Sequence, residues 1–71
     1  MFISRNEFYL KNLKDAHSLT CEPATLEGNN GNEPAVAIFH GRQIRYVLPI
    51  PEALRIATAI ADAIQAGKDQ S

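Results

Sequence analysis

The sequence has one cysteine, Cys21, no tryptophan, and no surplus of charge of either sign. A single thiol cannot close an internal disulfide, so a reducing compartment, the cytoplasm, is the default expectation. Seven Lys and Arg against eight Asp and Glu give a net charge of -1. That excludes the broad basic surface of a dedicated nucleic-acid binder but not a local basic patch. Long apolar runs are also missing. With histidine counted among the charged residues, the longest stretch free of charge and proline is Ile56 to Ala61, bracketed by Arg55 and Asp62. A membrane span needs about 20 residues, so no membrane partner is expected. Met1 to Arg5 has no basic lead before an apolar core, so no signal peptide is expected. The 71 residues read as one domain, 1–71. A lone core of that size rarely nets more than about 3–5 kcal/mol. Self-association or a permanent partner is therefore expected from size alone.

Four pieces follow one another along the chain. In residues 1–17, Ser4 and Glu7 have capping-box spacing, and Ile3 and Phe8 fall where a hydrophobic staple would close. Tyr9, Leu13 and Ala16 continue at i, i+4, i+7, which predicts a helix from about Arg5 to Asp15. Phe2, Ile3, Phe8 and Tyr9 would also suit a strand, so helix and strand both stay open here. Next, Leu19 and Cys21 alternate with polar residues, which predicts a third strand within 18–27, held to a sheet edge by Pro23. The run Gly28-Asn29-Asn30-Gly31-Asn32 predicts a mobile loop over 28–34.

The third piece gives the clearest signal. Ala35–Phe39 and Ile44–Leu48 flank His40-Gly41-Arg42-Gln43, a hairpin over 35–48 turning at Gly41-Arg42 or at His40-Gly41. Strict alternation places Ala35, Ala37, Phe39, Ile44, Tyr46 and Leu48 on one face, expected to be core. Val36, Ile38 and Val47 share the other with His40, Gln43 and Arg45. Pro51 and Glu52 then open a helix over 51–66, with Gly67 as its stop and 68–71 as a polar tail. Its polar residues Arg55, Thr58, Asp62 and Gln65 form one narrow stripe. Ile56, Ile60 and Ile64 make one ridge, and Ala53, Ala57 and Ala61 a smooth ridge beside it, with Leu54 adjacent. A helix that covers a sheet in a monomer needs an apolar arc of only about 100°. The surplus predicts a protein interface built from Ala53, Ala57, Ala61 and Leu54, or from Val36, Ile38 and Val47. A homodimer is the expected user and another protein the alternative.

Chemistry-bearing residues are few. His17, Cys21 and His40 lack the close pairing that zinc sites use. Cys21 falls where a strand would bury it as a small apolar residue, and no phosphate-binding glycine motif is present. No catalytic residues, metal or cofactor are expected, and no enzyme. The hairpin tip groups His40, Arg42 and Arg45, and Arg5, Lys11 and Lys14 add cations from the first helix. A two-stranded ribbon can enter the DNA major groove, so nucleic-acid binding is the competing function.

Residues 36–64, from Ile38-Phe39-His40-Gly41-Arg42-Gln43-Ile44-Arg45-Tyr46-Val47-Leu48-Pro49 through Ala53-Leu54-Arg55-Ile56-Ala57 to Ile60-Ala61-Asp62-Ala63-Ile64, resemble short proteins of actinobacteria and their phages that carry no assigned activity. The resemblance implies a cytoplasmic accessory protein of phage or prophage type and brings no functional residue with it. The expected fold is α+β: a small antiparallel sheet covered by the C-terminal helix, with a short N-terminal helix at its edge or on a dimer mate. The expected function is that of a non-catalytic interaction or regulatory protein acting as a homodimer.

Overall fold

The computed structural model describes residues 2–70. The fold is α+β. A 3₁₀ turn, Asn6–Phe8, leads into α1, Tyr9–His17, followed by β1 (Leu19–Gly28), β2 (Gly31–His40), β3 (Gln43–Pro49) and α2 (Ile50–Gln70). The strands form one antiparallel meander in the order β1-β2-β3. Edge position explains why β1 tolerates Pro23: a strand with one neighbour can dispense with an outward amide. Pro34 sits opposite Thr25 but beyond the last β2–β3 pair, Ala35 with Pro49, so β2 has a neighbour on one side only at that point.

The N-terminal segment is helical, but the capping box does not form. No side chain caps the 3₁₀ turn or α1, and the Ser4 hydroxyl instead accepts a hydrogen bond from Asn12 Nδ2 at 2.7 Å. Ile3 and Phe8 remain exposed, so the staple is open as well. The expected loop over 28–34 is a two-residue turn, Asn29-Asn30, between Gly28 and Gly31, which pair with each other. Gly31 at φ 115° carries the chain back into β2, a conformation that side chains resist. The second hairpin turns at Gly41-Arg42, with Gly41 at φ 63°.

The hairpin faces differ from strict alternation. Ile38 pairs with Tyr46 and Phe39 with Ile44, leaving Arg45 as the extra residue of a β-bulge. One inserted residue reverses the parity of everything beyond it. Leu48 and Tyr46 therefore join Val36 and Ile38, while Val47 joins Ala35 and Ala37. This corrects the expected grouping on both faces.

Gly67 does not end α2, and positions 68–70 of the expected polar tail are helical; Ser71 lies outside the described residues. Positive φ among the described residues occurs only at Gly31 and Gly41, so Gly67 makes no αL stop. Gln65 and Asp69 hydrogen-bond across it at 3.0 Å, one helical turn apart. A Cβ added at Gly67 would meet nothing within 4 Å. Gly67→Ala is therefore expected to raise the helical circular-dichroism signal and to stabilise the protein by at most about 0.5–1 kcal/mol. Loss of helix signal in that variant would show that Gly67 is needed as glycine.

Very little is buried in a single chain. Among the described residues the buried apolar side chains are Ala35 at 3% and Ala37 at 5% exposure, and no large side chain is fully buried. The Cα radius of gyration is 15.4 Å, against about 11 Å for a compact domain of this length. The long axis reaches 46 Å.

Candidate interaction surface

The sheet residues that line a groove with α2 include Val36, Ile38 and Leu48, which share one face. Register explains why this face is apolar. Pro23, Val36 and Leu48 form one row across the three strands, and Cys21, Ile38 and Tyr46 the next. On the opposite face Glu22 lies beside Ala37 in the middle of the sheet. The bulge at Arg45 therefore delivers Leu48 to the side opposite Glu22, next to Val36.

Between that face and α2 runs an open groove of about 380 Å³. Its floor is Cys21, Val36, Ile38 and Leu48, and its wall is the stretch of α2 from Ile50 to Ile60. The lining is almost wholly apolar. Yet the side chains around it are not covered: Leu54 is 64% exposed, Ile60 58% and, one turn further along α2, Ile64 56%. Of the residues expected at an interface, Val36, Ile38, Ala53, Leu54 and Ala57 come together here. Ala61 continues the same helix past the groove, and Val47 lies on the other face of the sheet. Leu48 and Cys21 were not foreseen as part of this surface. Only the bulge brings Leu48 across, and Cys21, expected to be buried, is exposed.

Further apolar side chains are exposed on the N-terminal segment and α1. Phe2, Ile3, Leu10 and Leu13 are all at least half exposed, and the contacts of α1 with the sheet are sparse. Helix α1 is tied to the sheet at its C-terminal end. The Ser18 carbonyl accepts the Gly41 amide at 2.9 Å, which fastens the β2–β3 tip to the end of α1.

The three basic residues of the tip are placed differently from one another. His40 and Arg45 line a small depression with Asp15, Ala16 and Leu19, and His40 Nε2 stands 3.6 Å from Asp15 Oδ1. Asp15 also accepts a 2.7 Å hydrogen bond from Lys11 Nζ. That bond, with the nearby charges of Lys11, His40 and Lys14, holds the Asp15 carboxyl below the usual carboxylate range, against a smaller opposing effect of burial. Arg42 is exposed in the turn itself. Cys21 and His40 share a face of the sheet two register positions apart, and no hydrogen bond joins Cys21 to either histidine among the described residues. Also among the described residues, no group of three or more His, Cys, Asp or Glu is placed to hold a metal ion, and no helix is long and apolar enough to cross a membrane. No protein-family model, no curated protein and no solved structure matches the chain.

Proposed function

We propose that the protein is a small non-catalytic interaction or regulatory module that works as a homodimer. One observation carries this reading. A single chain exposes 6404 Å², whereas a folded monomer of its mass, 7.8 kDa, exposes about 4,400 Å². The excess is about 2,000 Å² per chain. Two chains hiding that excess from each other would bury about 4,000 Å² in total, within the range of obligate homodimers. The near absence of buried side chains in one chain supports the same conclusion: the apolar surface is present but unpartnered. A cytoplasmic accessory role is part of this proposal.

Sedimentation equilibrium over a wide concentration range tests this reading. A dimer persisting to low concentration is the expected result. A compact, stable monomer at every concentration would overturn it.

The nucleic-acid reading keeps one supporting observation, the exposure of Arg42 in the turn and of Lys11 and Lys14 on α1. Two others weigh against it. The tip is fastened to α1 rather than free to enter a groove, and Asp15 places negative charge against His40 and Arg45. Phosphate contacts carry most DNA affinity, and a typical site uses about 6–10 of them. The parent protein is expected to show no saturable binding to duplex DNA at low salt. If it binds, and the Arg42→Ala/Arg45→Ala variant loses that binding together with its salt dependence, the ribbon reading prevails.

A further inference from the structure

We infer that the groove between α2 and the sheet is the seat of α2 from a second copy, running antiparallel about a two-fold axis at Ala57. This rests on the homodimer reading and specifies its geometry. Around Ala57 the helix sequence is symmetric in side-chain size. Leu54 and Ile60 lie three residues to either side, Ala53 and Ala61 four, and Ile50 and Ile64 seven. At about 100° per residue all of these fall within a single arc centred on Ala57. All four large members are exposed in the single chain. In an antiparallel pair centred there, Ala57 meets its own copy, Ala53 meets the partner's Ala61, and Ile50 meets the partner's Ile64. Small residues at the centre let the axes approach to the short end of about 8–10 Å, and the isoleucines close the two ends.

The direction follows from the overhang of α2. The groove wall ends at Ile60, but the apolar arc continues to Ile64. In an antiparallel pair the overhanging Ile64 of each chain falls on the Ile50 end of the other chain's groove, against Leu48. In a parallel pair both overhangs would project past both sheets and cover only each other. The antiparallel arrangement is also isologous, so one patch serves both chains and the assembly closes at two.

Cys21, exposed in the groove floor, reports the seat directly. Its alkylation by a maleimide should be roughly tenfold slower at a protomer concentration about 100-fold above the dimer dissociation constant than well below it, by mass action. A dimer whose Cys21 reacts equally fast at both concentrations would overturn the seat while leaving dimerisation intact. A chain monomeric throughout would overturn both. Direction is read by oxidative cross-linking in a Cys21→Ser background. Ala57→Cys should form a covalent dimer, because residues at the axis come within the 4.4–6.8 Å Cα separation a disulfide needs. Ala53→Cys alone should not, since its two copies sit about 12 Å apart along the helix axes. A mixture of Ala53→Cys and Ala61→Cys chains should cross-link. Self-linking of Ala53→Cys as efficient as that of Ala57→Cys would overturn the antiparallel direction.

Discussion

Ala57→Glu should convert the protein from dimer to monomer. The substitution places a carboxylate at the point where the two α2 helices would come closest. In the dimer that carboxylate would face its own copy, with no cation among the flanking residues of the seam, Ala53, Leu54, Ile60 and Ala61. Leaving an unpaired charge in such a place costs about 3–5 kcal/mol, which weakens the dimer by roughly two to nearly four orders of magnitude. Thr58→Glu is the control. It adds the same charge one residue along, on the polar stripe with Arg55, Asp62 and Gln65, and should leave the dimer unchanged. Sedimentation equilibrium separates the two variants. Equal dissociation constants would mean that this side of α2 is not the seam. Stability should follow association, because among the described residues one chain buries only Ala35 and Ala37. The Ala57→Glu chain is therefore expected to unfold at a lower urea concentration than the parent, and the parent's midpoint should rise with protein concentration.

The elements of the fold were largely legible because each has a local cause. Gly41 between two apolar runs marks a hairpin, alternation at Leu19 and Cys21 marks a strand, and Pro51 followed by an Ala- and Ile-rich run marks a helix. The misreadings share a different cause: they depend on partners that sequence does not display. Gly28-Asn29-Asn30-Gly31-Asn32 has the composition of a loop. It becomes a tight turn because β1 and β2 pair all the way to Gly28 and Gly31. The expected loop ran on to Pro34, which instead lies inside β2 where that strand has no second neighbour. The bulge at Arg45 is the most consequential case. Nothing in Ile44-Arg45-Tyr46 announces it, yet it decides that Leu48 joins Val36 and Ile38 in the groove while Val47 leaves them.

The candidate surface was legible in part for the same reason. Surplus apolar area on α2 is visible from periodicity alone, and Ala53, Leu54 and Ala57 line the groove. The groove itself was not visible, because it needs the bulge to set its floor and the helix path to set its wall. The α1 cap failed as a reading because Ser4 and Glu7 satisfy a spacing rule but not a backbone one. The chain enters through a 3₁₀ turn, and Asn12 takes the Ser4 hydroxyl. A motif of two residues specifies less than a ladder of ten paired ones.

Gly31→Ala should be the most destabilising single change away from the proposed seam. Asn29 and Asn30 both keep negative φ, so Gly31 alone provides the backbone reversal into β2, at φ 115°. That angle lies beyond the ordinary left-handed region that an L-residue occupies at modest cost. A Cβ there would meet nothing within 4 Å, so the penalty is conformational rather than a clash. A cost of about 1–3 kcal/mol is expected, a large part of what so small a chain has. Gly28→Ala is the matched comparison on the other side of the turn. Gly28 has no positive φ, and its added Cβ would touch the Gly31 carbonyl oxygen at 3.5 Å, an ordinary contact. That variant should be neutral or slightly more stable, through lower entropy of the unfolded chain. Urea midpoints at one fixed protomer concentration measure both. The Cys21–Ile38 pair in the groove floor lies seven register positions from Gly28–Gly31, so neither variant should alter Cys21 protection in the folded dimer. Equal midpoints for the two variants would show that the turn makes no special demand at Gly31. A Gly31→Ala chain that loses Cys21 protection while still folded would show instead that the β1–β2 turn and the dimer seat are coupled.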